Sequence, residues 1–354
     1  MIEPAGILSG LVVGILFGFV LQRGRFCMNS AFRDILLMKE YTLLKAVIVA
    51  IIVSMLGFHL MASLGAIQLN PKPFFLGANI VGGFIFGIGM VLAGGCASGT
   101  TYRVGEGMVG SFVALLGGMM GAVITDSGAL SGVKSYLQTT TTITITNPGP
   151  LVMPESTSPT LANVIGIDPW IVVIVLAIIG IGALAWKRGG GDKTEGSMYE
   201  KIFKRGWSWW ATGIVIGIIG MIAFSTSAAT WRNYPLRITG GWIGFLNSLI
   251  MGDANRLSWG TFLVIGIVIG AAIAAIIARE FKLRAPGPRR LLQQFIGGLL
   301  LGIGAVIGFG CNIGHILSGV PQLSIGSIVN GFFIVIGAWT AAYIMFMRGE
   351  QRQP

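Results

Sequence analysis

The chain has 354 residues, of which 54% are hydrophobic and only 10% are charged. A soluble domain carries about 25% charged residues, so this composition indicates a polytopic membrane protein. The 55 glycines suit close helix packing in lipid. The net charge of +11 is attributed mainly to basic cytoplasmic loops, with an anion-attracting vestibule as a second contribution. Nucleic-acid binding is not expected, because the sequence predicts no basic domain outside the membrane. Three unequally spaced cysteines match neither a disulfide framework nor a zinc site.

Nine apolar stretches are predicted to span the membrane, because each approaches the length that a helix needs to cross it. They cover residues 7–21, 42–64, 76–93, 108–124, 164–186, 209–224, 261–278, 295–309 and 325–346. Residues 28–38 and 236–251 are apolar but shorter, and we expect in-plane or buried helices there. Residues 97–106 and 312–323 are predicted re-entrant segments, with Pro321 breaking the second one. The predicted fold is therefore an all-α membrane protein.

Basic residues predict the orientation, because cytoplasmic loops carry an excess of Lys and Arg. With nine spans, three basic connections and the C-terminal tail fall on one side of the membrane. The connection after the first span holds Arg23, Arg25, Arg33 and Lys39, and the one after the fifth holds Lys187, Arg188, Lys193, Lys201, Lys204 and Arg205. The connection after the seventh span holds Arg279, Lys282, Arg284, Arg289 and Arg290, and the tail holds Arg348 and Arg352. We expect the N-terminus outside and the C-terminus in the cytoplasm. The loop 130–161, rich in Thr, Ser and Pro, is then external, and residues 136–145 are expected to form a strand-like flap.

Two glycine-rich stretches repeat one another at an offset of 215 residues: GGFIFGIGMVLAGGCASG from Gly82 and GGLLLGIGAVIGFGCNIG from Gly297. Such repetition indicates two related halves. We predict four-span repeats over 1–128 and 209–354, joined by 129–208, which holds the external loop, a linking span and a cytoplasmic basic loop. The linking span would invert the second copy and place Cys96 and Cys311 face to face near an in-plane pseudo-two-fold axis. Cys27 would have its counterpart near Thr230, which is not a cysteine.

Each repeated cysteine is flanked by glycines: Gly95 and Gly99 around Cys96, and Gly310 and Gly314 around Cys311. Glycine lets the backbone approach a ligand closely, although cysteine also serves as a small packing residue. A metal site would need thiolates with histidine, methionine or carboxylate ligands, and the chain has only His59 and His315. No metal site is therefore predicted. A buried thiol without a nearby cation keeps its proton and is a weak donor suited to a soft sulfur anion.

The motifs RGRFCMNSAFRD, LAGGCASGTTYRVGEGMVGS and GFGCNIG resemble those of the YeeE/YedE family of inner-membrane sulfur transporters. The resemblance implies an hourglass-shaped helical fold in the bacterial inner membrane, with thiosulfate entering a positive outer concavity. It also implies that three pore cysteines, here Cys27, Cys96 and Cys311, pass the ion inward, and that a cytoplasmic TusA-like sulfur carrier receives it. Some relatives are assigned to selenium metabolism. The second copy continues as GCNIGHIL, so Arg103 and Glu106 have no equivalents there.

Other polar residues near these motifs have two interpretations each. Arg103 and Glu106 are spaced to pair on a helical turn and hold the re-entrant segment, or Arg103 attracts the anion. Arg25 and Arg33 are interpreted as cytoplasmic anchors, and His315 as a packing or hydrogen-bonding residue rather than a proton relay. The following polar side chains either donate hydrogen bonds to the ion or satisfy broken helices: Asn29, Ser98, Thr100, Thr101 and Asn312.

The function predicted from these residues is thiosulfate uptake by a thiol relay, without enzymatic activity or a cofactor. Transport of another species, such as sulfide, sulfite or a selenium compound, is the first alternative. A membrane sulfurtransferase is the second, and it requires a thiolate activated by a nearby cation or histidine. No GxxxxGK[ST] motif occurs, so ATP hydrolysis by that route is excluded.

Overall fold

A computed structural model describes residues 4–186, 200–204 and 206–348. The described chain is mostly helical, with two strands of two residues each, which confirms the predicted all-α class. The predicted basic residues Lys187, Arg188, Lys193, Arg205 and Arg352 lie outside the described residues.

The first part of the chain forms nine helices and the two strands. In chain order they are α1 Pro4–Arg23, α2 Met28–Met38, α3 Thr42–Ser63, β1 Phe74–Phe75, α4 Leu76–Ala93, α5 Ala97–Gly105, α6 Val109–Asp126, α7 Ser131–Thr140, β2 Thr142–Ile143, α8 Leu161–Ile165 and α9 Pro169–Trp186. The short helices α2 and α5 lie where the sequence predicts an in-plane or buried helix and a re-entrant segment.

The second part repeats the alternation of long and short helices. It contains α10 Trp209–Ala228, α11 Thr239–Met251, α12 Trp259–Ile277, α13 Pro288–Ile307 and α14 Ile325–Ala342. Short irregular helical turns occupy Glu200–Lys204, Ala254–Arg256, Ile313–Leu317, Val320–Gln322 and Tyr343–Met347. The turn Val320–Gln322 includes Pro321, at the break predicted from the sequence.

Eight apolar helical segments within the described residues are long enough to cross a membrane. They match eight of the nine predicted spans, so the chain is a multi-pass membrane protein. The remaining predicted span, 164–186, corresponds to α9, whose apolar stretch Pro169–Ala185 is somewhat shorter than the other eight. The predicted orientation depends on α9 crossing as well, and it stays a prediction.

Glycines allow the long helices to pack with their backbones in contact, which is a common way to associate helices in lipid. The closest pairs are α1 with α12, α3 with α10, α4 with α13 and α14, and α6 with α13. A β-carbon added at Gly14 of α1 would overlap Leu263 O of α12, and one added at Gly302 of α13 would overlap Gly118 O of α6. These crossings hold the broken helices α4–α5 and α13 at the centre of the bundle.

The arm formed by residues 131–145 differs from the flap predicted at residues 136–145. Its first part is the helix α7, and only Thr142–Ile143 is extended, pairing antiparallel with Phe74–Phe75. The hydroxyls of Thr139, Thr140 and Thr141 donate to carbonyls one turn earlier, so these side chains are satisfied within a helical turn rather than across a strand pair. The arm is tied to the bundle where Gln138 donates hydrogen bonds to the last carbonyls of α13.

Candidate functional site

Two of the three thiols meet at the starts of short helices. Cys27 immediately precedes α2, Cys96 immediately precedes α5, and both have extended backbone. Their side chains are buried, and the two Sγ atoms lie 3.9 Å apart. Cys96 Sγ also accepts the Gly99 N–H at 3.3 Å and lies 3.4 Å from Ser98 Oγ. The thiol pair therefore occupies a position where first-turn N–H groups lack partners within their helix.

Gly99 makes the contact between these thiols sterically feasible. A β-carbon added there would lie 2.7 Å from Cys27 Sγ and 3.3 Å from Cys96 Sγ. Real β-carbons do not approach another heavy atom to 2.7 Å, so any larger residue would push the thiols apart. The structure thus assigns Gly99 a packing requirement of its own, as the glycine flanking in the sequence suggested.

Cys311 lies apart from this pair, at the broken end of α13. It is completely buried, and the backbone N–H groups of Gly314, Thr239 and Ile238 approach its thiol. No hydrogen-bond contact joins the Cys96 and Cys311 thiols among the described residues, and the predicted facing of these two cysteines across a pseudo-axis stays a prediction. Each of these two cysteines faces the start of the short helix in its own half of the chain, α2 for Cys96 and α11 for Cys311.

Buried amides connect the two thiol sites. Asn312, the residue after Cys311, donates from Nδ2 to Met28 Sδ at 3.0 Å, and Met28 directly follows Cys27. Asn312 Oδ1 and both amide atoms of Asn29 are buried without a hydrogen-bond partner among the described residues. Buried polar groups normally have partners, so this unused capacity marks a place where an ion or water can bind.

Arg103 and Glu106 do not form the predicted pair. Arg103 Nη1 donates instead to Gly94 O at 2.6 Å, and no ion pair joins the two side chains in the described structure. The Gly94 carbonyl is available because Gly94 ends α4 in the left-handed conformation, at φ 73°. Burial raises the pKa of the Glu106 carboxyl, although the Gln22 side chain and the more distant Arg103 charge oppose the shift.

Lys72 is a site residue that the sequence analysis missed. Its side chain is only 3% exposed, and Nζ donates to Phe309 O at 2.8 Å. Nζ also lies 5.6 Å from the centre of the Tyr234 ring, whose hydroxyl donates to Gly314 O. Burial, with repulsion from Arg237, holds the pKa of Lys72 well below its usual value. The signal in the sequence is a lysine between two prolines, in a short apolar connection that has no other basic residue.

Gly310 and Gly314 provide the space for this ammonium beside Cys311. A β-carbon added at Gly310 would overlap Lys72 Nζ, and one added at Gly314 would lie 3.1 Å from it. The predicted close approach at these glycines is therefore made by a cation of the protein itself. The Cys311 thiol therefore has a cation nearby, contrary to the expectation that the thiols lack one.

A polar cavity of about 70 Å³ lies next to this site. Arg237 and Thr239 line it together with Phe309, Gln138 and the ion pair of Asp126 with Lys134. Arg237 Nε is buried there without a hydrogen-bond partner, and the guanidinium lies 5.4 Å from the centre of the Phe309 ring. Since the Thr239 N–H approaches the Cys311 thiol, one residue separates this cavity from the thiol.

The predicted cytoplasmic anchors lie at the opposite end of the broken helices. Arg25 is exposed and pairs with Glu280 at 3.1 Å, and the buried Arg23 binds the same carboxylate. Gln22 donates to Glu280 as well, and Arg33 pairs with its neighbour Asp34. Partial burial opposes ionisation of Glu280, but the Gln22 hydrogen bond and the two arginines outweigh it and lower its pKa.

His315 is saturated by structural hydrogen bonds. Its Nε2 lies 2.9 Å from the Gly308 carbonyl, so this nitrogen carries the proton, and Nδ1 then accepts from Ser327 Oγ at 3.1 Å. His59 is also buried, with Nδ1 against Met55 O. Among the described residues no group of three His, Cys, Asp or Glu side chains is arranged to hold a metal ion.

Comparison with known proteins covers nearly the whole chain. The sulphur transport family matches residues 23–340. The chain belongs to this family. A protein named thiosulfate transporter TsuA from Spirochaeta thermophila is 44% identical over 342 residues, covering 96% of this chain and 99% of the relative. The thiosulfate transporter TsuA of Escherichia coli K12 is 35% identical over 353 residues, covering 98% and 96%.

The family assignment confirms the resemblance drawn from the cysteine motifs. A shorter similarity, 37% identity over 115 residues, joins the chain to the probable transporter YedE of Escherichia coli, covering 32% of this chain and 28% of the relative. The two relatives matched over their full length are both named as transporters, in agreement with a membrane transport role for this family member.

Proposed function

We propose that this protein takes up thiosulfate across the bacterial cytoplasmic membrane, passing the ion between buried thiols. The observation that carries the proposal is the line of polar sites through the centre of the bundle. It runs from the cavity at Arg237 to Cys311, through the contact of Asn312 with Met28, to the Cys27–Cys96 pair. The identity of the substrate is inferred from the relatives named as thiosulfate transporters, which align over nearly their full length.

The thiols suit this substrate because thiosulfate carries charge on oxygens and a soft terminal sulfur. An S–H group is a weak donor, so it releases the ion readily to the next site. The unpartnered Asn29 amide nitrogen is placed to donate to an oxygen atom of the ion, and the unpartnered Oδ1 of Asn312 is placed to accept from water during the step between thiols. Gly95, Gly99, Gly310 and Gly314 keep this route narrow without filling it. We propose that Ser98, at 3.4 Å from Cys96 Sγ, orients that thiol.

We also propose that residues 1–128 and 209–354 are two inverted repeats. Exchanged contacts support this: Gly87 of α4 meets Ile334 O of α14, while Gly302 of α13 meets Gly118 O of α6. Likewise, Gly14 of α1 packs on α12, and its counterpart Gly217 of α10 packs on α3. In this relation α2 corresponds to α11, so Cys27 corresponds to Ile238 rather than to Thr230, because the connection before α11 is longer.

In the inward direction the ion would leave toward the end that carries Arg25 and Glu280. The exposed Arg25, and Arg33 nearby in the chain, make this end basic, as a cytoplasmic surface of an inner-membrane protein should be. A cytoplasmic sulfur carrier resembling TusA would receive the sulfur there. Transport of sulfide, sulfite or a selenium compound is the alternative use of the same route.

The test is uptake of radiolabelled thiosulfate by cells that lack other thiosulfate routes. We expect Cys96→Ala and Cys311→Ala each to lower the uptake rate at least tenfold, because the ion loses a soft contact at one step. Cys27→Ala should lower it less, since Cys96 remains at the same site. Thr125→Ala is the matched control, as it truncates a buried side chain that bonds only within α6. Unlabelled sulfide, sulfite and selenite serve as competitors.

Membrane abundance of each variant is measured by immunoblot, so that loss of protein is not read as loss of transport. Wild-type uptake that is no higher than in empty-vector cells would contradict the function. Normal uptake by both Cys96→Ala and Cys311→Ala would contradict the relay. Stronger competition by selenite or sulfide than by unlabelled thiosulfate would favour the alternative substrate.

A further inference from the structure

Two cations occupy corresponding positions beside the two repeated cysteines, although they come from unrelated parts of the chain. Arg103 donates to the carbonyl of Gly94, two residues before Cys96. Lys72 donates to the carbonyl of Phe309, two residues before Cys311. Gly94 and Phe309 correspond at the same offset of 215 residues that relates the cysteines, and both have left-handed backbone, with φ of 73° and 63°.

The left-handed conformation of Gly94 and Phe309 turns their carbonyls away from the helix axis. The preceding helix carbonyls are already satisfied, by the N–H groups of Gly94 and Gly95 in one copy and of Phe309 and Gly310 in the other, so the free acceptor is the carbonyl of the left-handed residue itself. Phenylalanine rarely adopts a positive φ, so its presence at 309 shows that the site requires this conformation. The β-carbon position of Gly95 lies 3.5 Å from Arg103 Nη1, and that of Gly310 overlaps Lys72 Nζ. Each cation thus lies directly against the glycine that precedes a thiol.

Neither cation has a carboxylate partner among the described residues. A buried charge without a counterion is unfavourable, and proteins normally pair it. Lys72 is buried, faces the rings of Tyr234 and Phe309, and has the positive Arg237 and Arg232 in its vicinity. Positive charge gathered around a buried ammonium favours an anion at this point.

We propose that Lys72 and Arg103 form two matched anion stations, Lys72 with Cys311 and Arg103 with Cys96. Each cation binds the oxygen end of the transported ion while the adjacent thiol contacts its terminal sulfur. Lys72 belongs to the station nearer the polar cavity, and Arg103 to the station nearer the end with Glu106 and Arg25. This assignment rests on the proposed uptake of thiosulfate and adds the groups that select it.

Recognition at both ends of the ion explains a preference for thiosulfate. Sulfide has no oxygen to bind the cation, and sulfate has no soft sulfur to contact the thiol. The two stations also separate in kinetics. Lys72 is the cation of the outer station, and its loss should weaken capture of the ion and raise KM. Arg103 is the cation of the inner station, and its loss should slow forward passage of the ion and lower the maximal rate with little change in KM.

The test measures thiosulfate uptake kinetics in proteoliposomes that contain the full-length protein. We expect Lys72→Met to raise KM at least tenfold and Lys72→Arg to restore most of the affinity. Arg103→Met should lower the maximal rate at least tenfold. Lys45→Met is the matched control, because Lys45 is also a buried lysine 5.6 Å from an aromatic ring centre, that of Trp209. Arg256→Met controls for loss of an arginine at an exposed ion pair.

Gly310→Ala tests the same station without changing any charge. The added methyl group would displace the Lys72 ammonium, so its effect on KM should match that of Lys72→Met, and the double variant should be no worse than either single variant. Gly166→Ala is the control, because that glycine also has a positive φ while the space around it is open, so it reports backbone strain alone. If Lys72→Met does not fold, Lys72→Arg and Gly310→Ala still decide the question.

The results separate the two proposals. No uptake by wild-type protein would contradict the function itself. Wild-type uptake with an unchanged KM in Lys72→Met, or in a folded Gly310→Ala, would overturn the outer station alone. An unchanged maximal rate in Arg103→Met would overturn the inner station. Equal losses in Lys72→Met and Lys45→Met would also overturn the proposal, because the effect would then belong to any buried lysine.

Discussion

At the scale of single residues, each repeated cysteine follows by two positions a carbonyl that accepts from a cation, Gly94 from Arg103 and Phe309 from Lys72. The repeat and its flanking glycines point to Cys96 and Cys311, because small residues around a lone cysteine mark a close approach. Nothing in the local pattern shows that Cys27 contacts Cys96, or that Lys72 reaches Phe309 O from a distant connection. Such contacts depend on which helices cross. The predicted Arg103–Glu106 pair failed because a left-handed carbonyl at Gly94 offered Arg103 a closer acceptor.

Titration of Lys72 leads to a prediction about pH. Burial holds its pKa well below the ordinary 10.5, so the empty site loses the ammonium at a lower pH than an exposed lysine would. Only the ammonium attracts a dianion, so KM for thiosulfate should rise as the outer pH increases through this lowered pKa. The facing groups Tyr234, Arg237, Arg232, Cys311 and His315 are the other charged or titratable neighbours.

The measurement is KM in proteoliposomes at a series of outer pH values. Lys72→Arg should abolish most of the alkaline rise, because a guanidinium keeps its charge over this range. Tyr234 does not produce the same rise, since burial raises the pKa of its hydroxyl above the ordinary value. Identical pH profiles for the wild type and Lys72→Arg would show that Lys72 is not the titrating group.

At the scale of helices, hydrophobic length predicts most of the architecture. Eight of the nine predicted spans appear as long helices, and α2 begins and ends at the predicted residues 28 and 38. The arm at residues 131–145 was mispredicted because threonines are usually strand formers, whereas here their hydroxyls bond back to carbonyls of α7. Helix pairing cannot be read from composition, since many glycines are available and only some lie at crossings.

A glycine at a crossing should therefore be far less tolerant than one that faces open space. We expect Gly302→Ala to lower the midpoint of thermal unfolding in detergent, because the methyl group would overlap Gly118 O and lie 2.5 Å from Ala122 N. Overpacking of this kind costs about 1–3 kcal/mol. Gly182→Ala in α9 meets no atom within 4 Å and should keep or raise the midpoint. Equal midpoints for both variants would contradict the assigned crossing of α13 with α6.

At the scale of the whole molecule, two proposed halves of the chain meet around one central route. The repeated sequence at 82–99 and 297–314 supports that relation, and the exchanged glycine contacts agree with it. The two halves are not equivalent in chemistry. The first supplies two thiols and an arginine from its own motif, and the second supplies one thiol and receives its cation from the first half, at Lys72.

The most direct measurement is an experimental structure of the full chain with bound selenosulfate, whose selenium is located by anomalous scattering. The account predicts selenium in contact with the Cys311 or Cys96 thiol, with the oxygen end of the ion toward Lys72 or Arg103. Selenium found only on a lipid-facing or surface site, away from all three cysteines, would contradict it.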